Sequence, residues 1–180
     1  MLEDPIQMSA EALRERIREI PDFPKPGILF YDITTLLKDP GAYKESIDLM
    51  LEPYKLEQVD IVVGMESRGF IFSAPMAYQL DAGLVPVRKL GKLPAETITV
   101  EYALEYGSNT LEIHRDAIQP GQKVLIVDDL LATGGTVKGT IELCERLKGE
   151  VIGLAFLVEL EFLKGRERLD GRRVTSVVKY

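Results

Sequence analysis

The chain has 180 residues and a formal net charge of −7; 46% of its residues are hydrophobic and 28% charged, a balance typical of a folded domain rather than a disordered chain. The acidic balance argues against a nucleic-acid partner, and no apolar run reaches the roughly 20 residues that a membrane-spanning helix needs. The single cysteine, Cys144, cannot form an internal disulfide and the N-terminus lacks the apolar block of a signal peptide, so we expect a cytoplasmic protein.

The first part of the chain predicts two helices separated by an irregular segment. Ser9 can cap a helix whose apolar residues recur at helical spacing as far as Ile20, and Pro21 ends that pattern. Residues 22–33, "DFPKPGILFYDI", contain prolines and a glycine that favour an ordered but irregular conformation. Asp39-Pro40 then opens a second amphipathic helix.

The rest of the chain alternates between buried strands and helices. Short β-branched apolar runs without alternation predict strands at residues 60–64, 83–87, 123–129 and 151–159. Helical patterns lie between them at residues 70–80 and 136–148. This order predicts an α/β fold with a mostly parallel sheet that helices cover on both faces.

One region departs from this order. From Thr97 to Tyr106 apolar and polar residues alternate, which indicates a two-sided strand. Residues 107–109 can turn the chain back into "TLEIH" at 110–114, so we expect an inserted antiparallel hairpin. Insertions at the carboxyl ends of parallel strands often form lids.

The stretch "VLIVDDLLATGGT" (124–136) predicts a ligand site. Asp128 and Asp129 offer four acceptor oxygens at a strand end, suited to vicinal hydroxyls or a hydrated metal. Residues 133–136, Thr-Gly-Gly-Thr, lead into a helix whose backbone N–H groups can bind an anion. Together they suit a phosphorylated sugar, although either element alone could be a solvated strand end or a plain turn. Neither the Walker A nor the dinucleotide-binding pattern is present.

This stretch closely resembles the phosphate motif of the type I phosphoribosyltransferases. The likeness runs from about Ile20 to Glu167 and includes "PDFPKPGILFYDIT", "LLKDP", "ESRGF", "RKLGKLP", "LEYG" and "LVEL…LKGRE". It implies the fold of that family as a single domain over residues 1–180, with a mostly parallel central sheet flanked by helices. A small N-terminal hood at 1–35 would recognise the base, and an antiparallel lid hairpin would span 88–115.

The resemblance also implies a role for each motif. The residues implied for the ribose and its 5′-phosphate are Asp128, Asp129, Ala132, Thr133, Gly134, Gly135 and Thr136. Those implied for pyrophosphate are Arg68, Arg88, Lys89 and Lys92. For the base, Phe30 would stack on adenine while backbone groups of Leu29 and Tyr31 read its edge. The acid/base residue would be Glu105, in "LEYG".

Each of these residues also has an interpretation that involves no ligand. Arg68 could be a surface arginine in a strand–helix turn, and the basic run at 88–92 a solvated face. Phe30 could be an ordinary core residue. Nothing in the local pattern distinguishes Glu105 from Glu101, which lies on the same side of the predicted strand; only the resemblance favours Glu105.

The function implied by the resemblance is purine salvage: adenine and phosphoribosyl pyrophosphate give AMP and pyrophosphate. Mg²⁺ would enter bound to the phosphoribosyl pyrophosphate, with no metal site on the chain itself, and the enzyme would be a homodimer. One alternative is a transferase of the same family for another base. A second is a non-catalytic nucleotide-sensing regulator, although no DNA-binding element is apparent. His114, the only histidine, and Cys144 are expected to be structural.

Overall fold

A computed structural model describes residues 9–103 and 108–180, and these residues form two compact units that divide between Leu49 and Met50. The first unit contains a two-stranded antiparallel sheet and short helices. Its elements are α1 (Ala10–Arg14), β1 (Arg18–Pro21), β2 (Leu29–Asp32), α2 (Thr34–Leu37) and α3 (Pro40–Leu51), the last two residues of which belong to the second unit. No helix in the described ranges is long and apolar enough to cross a membrane.

The N-terminal helix begins where the sequence predicts but is shorter. Ser9 caps α1, since its Oγ accepts a hydrogen bond from the Ala12 backbone N–H at 3.2 Å. The prediction that the helix continues to Ile20 is wrong: Ile20 lies in β1, directly opposite Phe30 in β2. The segment predicted to be irregular therefore contains a strand. The Arg18 Nε donates to the Asp32 carboxylate at 3.0 Å, a cross-strand pair that local periodicity does not reveal.

The start of α3 agrees with the prediction. The Asp39 carboxylate accepts hydrogen bonds from the backbone N–H groups of Gly41 and Ala42, each at 3.0 Å. Pro40 occupies the first turn, where its missing N–H leaves no bond unmade. An acidic cap followed by proline is therefore sufficient to set this boundary.

The second unit is built on a seven-stranded sheet. Its strands are β3 (Ile61–Met65), β4 (Gly83–Lys89), β5 (Thr97–Ala103), β6 (Ser108–His114), β7 (Lys123–Leu131), β8 (Glu150–Glu159) and β9 (Val174–Lys179), in the order β5-β6-β4-β3-β7-β8-β9. The helices are α4 (Gly69–Gln79) and α5 (Gly135–Arg146). Strands β4, β3, β7, β8 and β9 are parallel, which confirms the predicted mostly parallel α/β fold.

The predicted hairpin is present at one side of this sheet. β5 and β6 pair antiparallel from Thr97 opposite His114 to Ala103 opposite Ser108, and β6 continues the sheet by pairing antiparallel with β4. The connection between the two strands, which carries Glu105, lies outside the described residues. β9 was not predicted, because only three of its six residues are aliphatic and it forms the edge beside β8.

The strand register brings three loops to one edge of the sheet. Val127 in β7 lies opposite Gly64 in β3, and Met65 lies opposite Val87 in β4. Because these strands are parallel, the residues that follow each of them emerge on the same side. This carboxyl edge, residues 66–68, 88–93 and 128–136, contains every predicted sugar-side and pyrophosphate-side residue.

Candidate active site

A cavity of about 70 Å³ lies at the turn between β7 and α5 and is lined by Met65, Asp128 and residues 130–137. Gly134 adopts a left-handed conformation (φ +82°) and precedes the helix. No side chain of the described residues caps this helix end, so its first backbone N–H groups remain available as donors. Six of the seven residues predicted to hold the ribose and 5′-phosphate line this cavity; Asp129 is the exception.

Asp128 and Asp129 lie in an electrostatically unfavourable environment. Burial raises the pKa of Asp128 well above its ordinary value, and the neighbouring charge of Asp129 raises it further. The Asp129 backbone N–H donates to Asp128 Oδ1 at 2.9 Å and opposes this effect. The pKa of Asp129 is also raised by burial, while Arg68 acts in the opposite direction. Such shifts in a cavity are typical of groups whose partner is a ligand.

Arg68 connects two of the loops at the carboxyl edge. Its Nη2 lies 2.9 Å from Asp129 Oδ2, and its side chain is 35% exposed. Arg68 immediately precedes α4, after a cis peptide bond between Glu66 and Ser67. Sequence reasoning predicted Arg68 as a pyrophosphate ligand but missed its pairing with Asp129.

The basic residues after β4 are arranged by Glu66. Arg88 Nη2 donates to Glu66 Oε1 at 3.0 Å, and the backbone N–H of Lys89 donates to Glu66 Oε2 at 3.0 Å. Arg88 Nη1 also donates to the carbonyl of Lys92 at 3.1 Å. The hydrogen bond from Arg88 lowers the pKa of Glu66, since it favours the charged form. Lys89 and Lys92 are exposed.

Glu112 holds the loop that carries Lys92. It lies in β6 opposite Arg88 and is only 3% exposed. Its Oε1 accepts hydrogen bonds from the backbone N–H groups of Lys92 at 2.7 Å and Leu93 at 2.8 Å. Burial by itself raises the pKa of Glu112, but these donors, together with Gly91 and Thr97, outweigh burial and the net pKa is lowered. The sequence did not reveal this role, because alternation with Leu111 and Ile113 predicts an exposed position.

The residues predicted to bind adenine lie in the first unit, on or beside β2. Leu29 is 40% exposed, and Tyr31 is buried. The Phe30 ring makes an edge-to-face contact with Phe23, with centroids 5.1 Å apart and planes at 73°. Phe23 is 50% exposed, so the aromatic pair is partly open to solvent. Stacking of a base on Phe30 stays a prediction.

The remaining predicted polar residues are divided between described and undescribed parts of the chain. Glu105 lies outside the described residues, whereas Glu101 is exposed on β5 opposite Thr110. His114 Nε2 accepts a hydrogen bond from the Ala95 backbone N–H at 3.4 Å, in keeping with a structural role. Cys144 is buried, which raises its pKa to about 12. Residues 9–103 and 108–180 contain no group of three or more side chains suited to holding a metal ion.

Comparison with known proteins places the chain in a family. The family model described as phosphoribosyl transferase domain matches residues 32–178. An adenine phosphoribosyltransferase from Acidobacterium capsulatum is 58% identical over 173 residues, which cover 96% of each chain. The solved enzyme of that name from Thermoanaerobacter pseudethanolicus superposes with a TM-score of 0.92 at 52% identity, covering 96% of this chain and 100% of the other. The enzyme from Saccharomyces cerevisiae, solved with adenine and an imino-altritol bisphosphate, gives 0.88 at 40% identity, covering 94% and 98%. The chain therefore belongs to the phosphoribosyltransferase family, and within that family to the adenine phosphoribosyltransferases.

Proposed function

We propose that this chain transfers the phosphoribosyl group of phosphoribosyl pyrophosphate to adenine, forming AMP and releasing pyrophosphate. The observation that carries the proposal is the β7–α5 turn, where two carboxylates of raised pKa adjoin an uncapped helix N-terminus. An activated pentose matches both features, since it has vicinal hydroxyls at one side and a phosphate at the other. The identity to adenine phosphoribosyltransferases over nearly the whole chain supports adenine as the base.

The sugar is held at both ends. Backbone N–H groups and hydroxyls of Ala132–Thr136 bind the 5′-phosphate, which converts remote binding energy into alignment of the reacting carbon. Asp128 and Asp129 accept hydrogen bonds from the ribose hydroxyls. As pyrophosphate departs, the anomeric carbon gains positive charge, and these carboxylates lie near enough to stabilise it.

The leaving group is neutralised by the cations at the carboxyl edge. Arg68, Arg88, Lys89 and Lys92 contact the pyrophosphate oxygens, with arginine giving bidentate contacts. Mg²⁺ carried in with the substrate would supply further charge neutralisation of the leaving group, alongside these side chains. The contacts of Glu66 and Glu112 keep Arg88 and the Lys92 loop in place before the substrate arrives.

The base is recognised by the first unit. Phe30 stacks on the purine, and backbone groups of Leu29 and Tyr31 read its edge; the yeast relative was solved with adenine bound. Glu105 exchanges the proton on the imidazole ring of the base. Closure of the proposed lid would remove water from this carboxyl group and raise its pKa toward the range that proton transfer requires.

The direct test is to incubate the chain with labelled adenine, phosphoribosyl pyrophosphate and Mg²⁺ and to measure AMP and pyrophosphate. We expect AMP to form, and unlabelled adenine to compete far better than hypoxanthine, xanthine or orotate. Preferred use of another base would show that the chain is a phosphoribosyltransferase for that base. Tight AMP binding without turnover would instead indicate a nucleotide-sensing regulator.

The acid/base assignment has its own matched pair of variants. Glu105→Gln should lower kcat by more than about tenfold while changing the KM for adenine little, because the group acts on the proton rather than on binding. Glu101→Gln is the control and should retain wild-type kcat. Equal losses in the two variants would contradict the assignment.

We further propose a cytoplasmic homodimer. A buried cysteine with no disulfide partner suits a reducing compartment. Light scattering after gel filtration should give twice the chain mass of 20.1 kDa; a mass of one chain at micromolar concentration would contradict the dimer.

A further inference from the structure

The turn that forms the proposed phosphate site is in backbone contact with a distant glycine. A Cβ placed on Gly165 would lie 2.1 Å from the carbonyl oxygen of Ala132 and 3.1 Å from the backbone nitrogen of Gly134. A Cβ on Gly134 would in turn lie 2.6 Å from the carbonyl oxygen of Gly165. The separations of 2.1 Å and 2.6 Å are far below a normal van der Waals contact. The two segments can therefore meet only because Gly134 and Gly165 lack a side chain.

Gly165 contacts the turn from outside the cavity. The residues that line the cavity are Met65, Asp128 and 130–137, and Gly165 is not one of them. Gly165 is buried and begins a 3-10 turn that ends at Leu169. A support of this kind restricts where the backbone N–H groups of residues 132–136 can lie, without touching the ligand.

The next residue fixes Gly165 to the sheet. Arg166 Nε donates to Glu159 Oε1 at 2.9 Å, and Arg166 Nη1 donates to the carbonyl of Val174 at 3.0 Å. The Glu159 side chain is only 5% exposed, and the hydrogen bond from Arg166 lowers its pKa. Glu159 is paired with Leu131, the last residue of β7, so the ion pair is joined to the strand that leads into the phosphate turn.

We propose that Gly165, held by the Glu159–Arg166 pair, positions the backbone of the phosphate turn and so sets the affinity for the 5′-phosphate of the substrate. This inference rests on the proposed function of the turn. It assigns a role to the "LVEL…LKGRE" stretch, whose residues supply no ligand contact in the proposed mechanism. These are positioning residues, because they act through Ala132 and Gly134 rather than on the substrate.

The decisive variant is Gly165→Ala. Relief of a 2.1 Å contact requires the turn to shift by about 1 Å, which misaligns several N–H donors together. We expect the KM for phosphoribosyl pyrophosphate and the Kd for ribose 5-phosphate to rise by about tenfold or more. The KM for adenine should stay within about twofold of the wild-type value, since the proposed adenine contacts are made by other residues.

The matched control is Gly149→Ala. A Cβ there would lie 2.9 Å from Ile118 Cγ2, so this variant is also crowded. Gly149 precedes β8, however, and so lies at the amino ends of the parallel strands. It should lower the melting temperature without changing the KM for phosphoribosyl pyrophosphate. Equal rises in that KM for both variants would show a general loss of structure and overturn the proposal.

If Gly165→Ala does not fold, the milder variant Arg166→Lys tests the same positioning role. Arg166→Lys keeps the charge but loses the forked contacts to Glu159 and Val174, and it should raise the Kd for ribose 5-phosphate about threefold or more. An unchanged Kd would overturn the proposal. Ribose 5-phosphate binding, measured by calorimetry, does not require turnover. If the wild-type chain binds it but makes no AMP, the proposed activity fails while the positioning role still stands or falls on these variants.

Discussion

Two acidic pairs near the carboxyl edge have opposite electrostatics. Asp129 is buried and Asp128 is half-buried, and the pKa values of both are raised. Glu66 and Glu112 accept hydrogen bonds from a guanidinium and from backbone N–H groups, and their pKa values are lowered. The difference lies in the balance between burial and hydrogen-bond donors: burial is the larger influence on the pKa values of the two aspartates, whereas the donors outweigh burial at the two glutamates.

The comparison distinguishes groups that build the site from groups that await a ligand. A carboxylate whose donors are already present stabilises the fold and holds a loop in place. A carboxylate without enough donors destabilises the free protein and is compensated when hydroxyls or developing positive charge arrive. The hydrogen bonds of Glu66 and Glu112 make these residues part of the framework of the site, and the raised pKa values of Asp128 and Asp129 support the sugar contacts proposed for them.

The largest expected effect comes from neutralising the aspartates. Asp128→Asn with Asp129→Asn should reduce turnover by more than about 1,000-fold, because both contacts to the ribose and to the charged transition state are lost. Steady-state assays of AMP formation measure this, with gel filtration and circular dichroism to confirm folding. Wild-type turnover in the double variant would refute the sugar role.

The single variant Asp128→Asn tests how the raised pKa of Asp128 affects the stability of the fold. Because the folded pKa of Asp128 lies above its unfolded value, its charge destabilises the fold above the folded pKa and has no effect below the unfolded one. The variant should melt at a higher temperature than the wild type at pH 8, with the gap closing as the pH falls toward 4. A lower melting temperature at pH 8 would contradict this sign.

Removing Glu112 should have the opposite consequence for stability. Glu112→Ala leaves the N–H groups of Lys92 and Leu93 without their acceptor, which should cost about 1–3 kcal/mol in the free energy of unfolding. It should also raise the KM for phosphoribosyl pyrophosphate, because the Lys92 loop loses its anchor. Urea unfolding and steady-state kinetics measure the two effects. Glu112→Gln retains an acceptor oxygen, so it should lose less stability and raise this KM less than Glu112→Ala does. Equal effects of the two variants would mean that the hydrogen bonds to Lys92 and Leu93 do not cause them.

Acid titration sharpens the contrast further. The lowered pKa values of Glu66 and Glu112 mean that their stabilisation is present above their unfolded pKa of 4.5 and is lost as the pH falls through the lower folded values. The double variant Glu66→Gln with Glu112→Gln should therefore lose less stability than the wild type between pH 5 and pH 3. Asp32, whose pKa Arg18 lowers to about 2, acts equally in both chains and cancels. Melting temperatures measured between pH 5 and pH 3 test this prediction. Equal falls in melting temperature for the double variant and the wild type would contradict it.

The smallest expected effect is that of a carboxylate belonging to neither pair. Glu161 lies 2.8 Å from Lys179 with both side chains about half exposed. Glu161→Gln should change the free energy of unfolding by less than about 0.5 kcal/mol, because solvent screens an exposed ion pair. Urea unfolding at pH 7 measures this, and a loss as large as that of Glu112→Ala would mean that donor supply is not what separates the carboxylates.

The parallel core and the phosphate turn were predictable because each is encoded locally. Strand β3 and residues 124–127 of β7 are continuous apolar runs, and the aspartates and the turn that follow this run are adjacent in sequence. β1 and β2 were not predicted, because residues before Ile20 fit helical spacing and the Arg18–Asp32 pair joins positions far apart. Arg68 pairing with Asp129, and the burial of Glu112, likewise arise only from tertiary contact.

The position of β7 inside the sheet bears on how the enzyme loses activity when heated. Both edges of β7 are hydrogen-bonded, to β3 and to β8, so its backbone amides should be among the slowest in the chain to exchange with deuterium. The strand that carries the two aspartates can then open only when the sheet itself does. Thermal inactivation should accordingly follow the same temperature course as global unfolding, without an earlier loss from local fraying.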